Sequence, residues 1–332
     1  MTDPLIPARD PLGRGMPADL VETFAPLGAI LRLETNSSEV LDACRQSFGG
    51  FGAPPAEGPA FSLRLLVDSS FRGSPPWPQP VFRGTGDIFF ASLGPDNTAV
   101  ADLASGFATG LVSPALARDT RQLRKVFIDG LVLTLLTQGG ASTHSYVHAS
   151  AVSRGGRGLL FSGPSRSGKS TLAFACARRG FEVVSDDVVY LAERGGELAA
   201  WGKPWLLRLL PECRALFPEL AAASPHVLLD GEETVEVDVD GFFPGRARVC
   251  CRPEAVFFLE RAGGAARLEP IEPGRALALL GRDLVYDRPE VLERHARLWT
   301  KLVARGAFRL DSAEDLDDAV DLVESFLAAT RD

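Results

Sequence analysis

Eight residues constrain this chain more than any other stretch. Gly163-Pro164-Ser165-Arg166-Ser167-Gly168-Lys169-Ser170 is a full match to G-x-x-x-x-G-K-[ST]. Gly163 and Gly168 permit backbone angles that a Cβ forbids, so successive N–H groups can turn inward around a phosphate. Lys169 adds a point charge within reach of β and γ phosphate oxygens, and Ser170 offers a hydroxyl to a magnesium ion. The flanks agree with this reading. Leu159, Leu160 and Phe161 form a short apolar strand before the loop, and Thr171 to Arg179 is a helical run that aims its positive end at the anion. Gly180 stops that helix. The competing reading, a glycine-rich surface turn, lacks any reason for the flanking strand and helix. The cofactor-binding set is therefore 163–170 together with Thr171.

The next segment narrows the chemistry. Phe181, Val183 and Val184 read as a buried strand ending in Ser185-Asp186-Asp187. Alternate residues of a strand face opposite ways, so one aspartate can sit near a metal and the other near an incoming nucleophile. An exposed acidic turn is the plainer alternative, but carboxylates after a buried strand call for something cationic nearby. His148, on the preceding strand Val147–Val152, is a candidate neighbour of these carboxylates, or else a satisfied core residue.

Together, His148-Ala149-Ser150-Ala151-Val152, the turn Arg154-Gly155-Gly156-Arg157, the phosphate loop and Ser185-Asp186-Asp187-Val188-Val189 resemble the catalytic domain of the HPr kinase/phosphorylase family, whose core is shared with phosphoenolpyruvate carboxykinases. The combination covers about 45 residues well and is more specific than the loop alone. The resemblance implies an α/β P-loop kinase core, ATP and Mg2+ as cofactors, and phosphorylation of a hydroxyl, in that family a protein serine. It also implies Asp186 as general base, Ser170 and Asp187 as magnesium ligands, and His148 as support for Asp186. The chain departs from the family downstream. No glycine-rich signature containing Glu-Ile-Arg is present, and the nearest region reads Asp240-Gly241-Phe242-Phe243-Pro244-Gly245-Arg246-Ala247-Arg248-Val249. This glycine-bearing segment reads as an active-site loop or a basic surface turn. Arg246 is the candidate to stabilise charge on a transferring phosphoryl group, with Arg248 as the alternative.

A chain of 332 residues suggests two domains. With 45% hydrophobic and 23% charged residues it has the apolar surface for real cores, and its net charge of −8 argues against a broad nucleic-acid footprint or attraction to an anionic membrane. No stretch approaches 18 uninterrupted apolar residues, and the first fifteen residues are too polar and proline-rich for a signal peptide, so a cytoplasmic location is expected. Five cysteines without C-x-x-C spacing suggest neither zinc nor a disulfide framework; Cys250-Cys251 reads as half-buried strand.

Residues 1–118 read as a smaller α+β domain for recognition or assembly, or a structural extension, with 1–20 as a loose arm. Strands are expected near 29–33, 61–67, 81–93 and 98–112, with a helix capped by Ser37 or Ser38. Asp119 to Gln138 is a strongly apolar helix, stopped by Gly139-Gly140, and is placed at the start of a catalytic domain spanning 119–332. Further on, Lys203 and Arg208 bracket Trp201 and Trp205 in a stretch that either lines a pocket or only packs. Glu232 to Asp240 alternates like an edge strand, with Glu236 or Asp238 a conceivable metal ligand. The segment 255–260 is a buried strand, 271–280 and 291–305 are amphipathic helices, and a strand at 308–310 precedes a final helix over 315–330. The C-terminal helices could dock a protein or peptide substrate. The expected function is an ATP-dependent kinase acting on a serine or similar hydroxyl. The alternatives are a small-molecule kinase with the same core and a non-catalytic nucleotide-binding module. A homo-oligomer fits any of the three.

Overall fold

The computed structural model describes residues 13, 15–139, 143–227, 231, 233–260, 265–283, 288–311 and 316–330. Most of the N-terminal arm, Gly140, Glu232 and Asp315 lie outside the described residues. The chain is mixed α/β and forms two compact units, Met1–Thr143 and His144–Asp332.

The first unit is a seven-stranded mixed sheet: β1 (Leu20–Phe24), β2 (Ile30–Thr35), β3 (Ala60–Val67), β4 (Val81–Thr85), β5 (Ile88–Ser92), β6 (Thr98–Asp102) and β7 (Phe107–Val112). The order is β1-β2-β3-β7-β6-β5-β4, with β2, β3 and β7 parallel. Period-two alternation buries Leu31, Leu33, Leu63 and Leu65 on one face. Helix α1 (Ser38–Phe48) starts where Ser37 accepts from the Val40 N–H at 3.3 Å, the cap expected from sequence. The later helical stretch runs as α2 (Pro114–Arg118), α3 (Thr120–Leu123), a π-helical turn over Arg124–Asp129, and α4 (Gly130–Gln138).

Sequence reading places that stretch at the start of the catalytic domain, and here it is wrong. The units divide between Thr143 and His144, because the helix packs within its own sheet unit. The Arg124 guanidinium donates to the Ser47 hydroxyl at 2.9 Å, and the Trp77 indole donates to Asp119 at 2.7 Å. Its apolar side, including Val126, Phe127 and Leu131, is fully buried.

The second unit is built on an eight-stranded sheet. Its strands are β8 (Ser145–Arg154), β9 (Arg157–Ser162), β10 (Glu182–Ser185), β11 (Val188–Arg194), β12 (Glu197–Trp201), β16 (Cys250–Glu260), β17 (Arg267–Pro270) and β18 (Ala307–Asp311). A smaller three-stranded sheet comprises β13 (Leu206–Leu209), β14 (His226–Val227) and β15 (Glu233–Asp238). Helix α5 (Lys169–Arg178) follows β9, and the short α6 (Val239–Phe242) follows β15. Helices α7 (Pro273–Leu280), α8 (Pro289–Arg305) and α9 (Leu316–Ala329) complete the unit.

Both faces of the large sheet are covered, which is why β9 (Arg-Gly-Leu-Leu-Phe-Ser) is nearly continuous apolar sequence. One core joins Leu159, Phe161, Phe174 on α5, Phe257, the small sheet and Val320 on α9. The other joins Val147, Ala149, Ala151, Leu160 and Phe258 to Trp299 and Leu302 on α8. Residues 211–222 form two 3-10 turns, Pro211–Ala215 and Pro218–Leu220. A proline begins each, supplying the fixed φ of a first helical position, and neither turn continues into a helix.

Candidate functional site

The glycine-rich octapeptide connects β9 to α5 as a strand–loop–helix. Gly168 has φ 98° and ψ 14°, a left-handed conformation that a Cβ disfavours, at the residue just before α5. A Cβ on Gly163 would meet the Ser167 Oγ at 2.7 Å and the Leu259 carbonyl oxygen at 3.2 Å. The turn is closed by the Ser167 N–H donating to the Pro164 carbonyl at 3.2 Å, with Arg166 at φ 63°. A non-glycine residue held there costs on the order of 1–2 kcal/mol, strain of the kind found at ligand-binding loops. Pro164, Ser165 and Arg166 are exposed, while Ser167 is buried with its Oγ lacking a hydrogen-bond partner.

Lys169 begins α5 and is 8% exposed. Its ammonium folds back to donate to the Gly163 and Pro164 carbonyls at 2.9 and 3.1 Å, so the charge sits in the mouth of its own loop. Of the nine candidate loop residues, Thr171 is turned elsewhere: its hydroxyl lies 3.4 Å from Cys213 Sγ.

The two aspartates occupy different environments. Asp186 is 7% exposed, and its Oδ2 accepts the Arg208 backbone N–H at 2.7 Å while its Oδ1 has no hydrogen-bond partner. Burial pushes its carboxyl up to about 6. The nearby Ser170 hydroxyl and the Arg208 N–H favour the ionised form, and the charge of Asp187 adds to the upward shift. The Asp187 side chain is 62% exposed, 3.4 Å from His148 Nδ1, and its carbonyl accepts the Ala149 N–H at 3.1 Å. The resemblance places His148 with Asp186; the strand register places it with Asp187.

A bulge produces this arrangement. In the β8–β10 ladder Val183 pairs with Val152, but Ser185 pairs with Ala151, so one extra residue separates them. The shift agrees with the β8–β11 ladder, where Val188 pairs with His148. It re-aims Asp186 onto the face of β8 that carries Val152 and packs under α5, where Ser170 waits. Gly202 lets the neighbouring chain pass close behind: a Cβ there would meet the Val184 carbonyl oxygen at 2.1 Å.

Arg246 does not belong to this cluster. Its guanidinium donates to the Gly180 carbonyl at 2.8 Å, beyond the C-terminal end of α5. The glycine-rich loop lies at the N-terminal end of a ten-residue helix, about 15 Å away along its axis. The Phe242-Phe243 pair expected in an active-site loop instead packs on Phe174, with ring centroids 6.4 and 5.1 Å away. Arg208 is the cation that sequence reading passed over, mentioning it only with the tryptophans. Its backbone holds Asp186, its charge acts on that carboxylate, and its side chain lies 3.4 Å from Glu236. Among the described residues no group of three His, Cys, Asp or Glu side chains could hold a metal by itself.

Neither a family model nor a curated protein matches the sequence. Among solved structures, the Hpr(Ser) kinase/phosphatase from Coxiella burnetii is similar to 56% of this chain over 96% of its own length, at a TM-score of 0.31 and 15% identity. That is a weak likeness of fold. No helix among the described residues is long and apolar enough to cross a membrane.

The raised Asp186 carboxyl gives a testable pH dependence. A folded-state value above the unfolded one means that protonated Asp186 favours folding below about pH 4, and that this contribution is lost as pH rises through 6. Asp186→Asn removes the titration. Relative to wild type in the absence of metal, it therefore gains ~3 kcal/mol between pH 4 and pH 8, from about two pKa units at ~1.4 kcal/mol each. Urea unfolding at the two pH values measures the change. An unchanged difference between the proteins contradicts the buried carboxylate.

Proposed function

We propose that the second unit is a P-loop phosphotransferase that moves the γ-phosphoryl group of ATP to a serine or similar hydroxyl of a protein or peptide. One observation carries this reading: the buried Asp186 faces Ser170, immediately after the loop lysine, with an unsatisfied carboxylate oxygen. Simple nucleotide binding needs the loop but not a buried carboxylate beside it.

The residues fit a magnesium ion. A hard cation takes oxygen ligands and keeps several from water and phosphate, so one hydroxyl and one carboxylate suffice. Ser170 and Asp186 would hold it. When bound it neutralises charge on the β and γ oxygens. The environments favour exchanging the roles that the family resemblance assigns. The buried Asp186 takes the metal, and the exposed Asp187, oriented by His148, takes the proton. The acceptor hydroxyl gives its proton to Asp187 as its oxygen bonds to the γ phosphorus, and the bond from that phosphorus to the bridging oxygen breaks to release ADP. Lys169 and Arg208 supply positive charge around the transferring group. The exposure of Asp187 leaves room for a hydroxyl carried on a larger chain, which supports a peptide acceptor.

Calorimetric titration with a non-hydrolysable ATP analogue tests the reading. Binding is expected, and it tightens when magnesium is added. Absence of binding, or binding indifferent to magnesium, contradicts it.

A further inference from the structure

Asp186 has an opposite number on β8. The registers on either side, Ser185 with Ala151 and Val188 with His148, place Ser150 at the position matching Asp186, in the bend between β10 and β11. Ser150 is fully buried on the α5 face of the strand, between His148 and Val152. Its Oγ has no hydrogen-bond partner, and neither has Asp186 Oδ1. Two orphaned buried oxygens thus belong to residues at matching positions on neighbouring segments, a hydroxyl that can donate and a carboxylate that can accept. Each alone is an expense that folded proteins usually avoid. Together a donor and an acceptor can satisfy each other.

We propose that Ser150 is a positioning residue for Asp186, whose hydroxyl donates to Oδ1 and fixes the carboxylate's orientation for a divalent cation shared with Ser170. The inference rests on the phosphotransferase reading for the identity of the cation's partner, a nucleotide phosphate. The physical basis is general. Ligating carboxylates are themselves held by hydrogen bonds, and loss of such a partner costs about 10–100-fold in metal affinity. A hydroxyl kept only for packing has a different signature: exchanging it for a methyl leaves the magnesium dependence of binding unchanged.

The test uses the full chain and a non-hydrolysable ATP analogue, titrated at a series of magnesium concentrations by calorimetry. Ser150→Ala is expected to raise the magnesium concentration for half-maximal tightening about tenfold or more, while affinity without magnesium stays within about twofold. Ser150→Cys keeps nearly the same volume with a weaker donor and shifts the dependence the same way. The melting temperature of ligand-free Ser150→Ala equals or exceeds that of wild type. Wild-type magnesium dependence in both variants overturns the proposal, as does a lowered melting temperature with equal loss of affinity at all magnesium levels. Wild type that binds no nucleotide overturns the phosphotransferase reading itself, a distinct failure visible before any variant is made.

Discussion

Asp187→Asn lowers phosphoryl transfer by roughly 10²–10⁴-fold and leaves Mg-ATP affinity within a few-fold of wild type. The reasoning runs from exposure to role. A base must meet a hydroxyl arriving from solvent, and of the two aspartates only Asp187 presents its side chain there, 62% exposed and 3.4 Å from His148 Nδ1. Asparagine keeps the shape but cannot accept a proton. The loss therefore falls on the rate of transfer and not on binding, which the proposed function assigns to the loop and Asp186. Single-turnover transfer and separate binding titrations resolve the two. A variant with normal transfer but weakened magnesium dependence returns the roles to those that the family resemblance implies.

Lys169→Ala lowers nucleotide affinity or turnover on the order of 10²-fold or more, because under the proposed function it removes the cation that would meet the phosphates. The structure adds a smaller effect. With no ligand bound, the ammonium donates to the Gly163 and Pro164 carbonyls, so its removal also loosens the loop, by about 1 kcal/mol. Binding titration alongside thermal melting checks both. Normal binding with lowered stability assigns Lys169 to the loop's architecture alone.

How far the sequence went depends on what kind of information each feature needs. The loop was legible because its two glycines, lysine and serine follow local backbone requirements, and Gly168 does sit in the left-handed region. The α1 cap and α8 were legible for the same reason: each is a short-range pattern. The different settings of the two aspartates, one buried and one exposed, were not, because they turn on a bulge near Val184 that no local pattern announces. Arg246 looked suitable from its neighbouring glycines, yet residue spacing cannot tell which end of α5 a distant loop will reach. Arg208 contributes a main-chain N–H to Asp186, a contact that any residue except proline could make. The helix ending at Gln138 was legible from its apolar residues, but these do not say to which unit it belongs.

The central claim is that the pair Asp186 and Asp187 serves a transfer of phosphate from the loop. It is tested most directly by incubating wild type and Asp187→Asn with magnesium, γ-labelled ATP and serine-containing peptides or proteins. Label on an acceptor serine with wild type, and its loss with the Asp187 variant while both proteins bind Mg-ATP, is the predicted result. Equal labelling by both proteins contradicts the account.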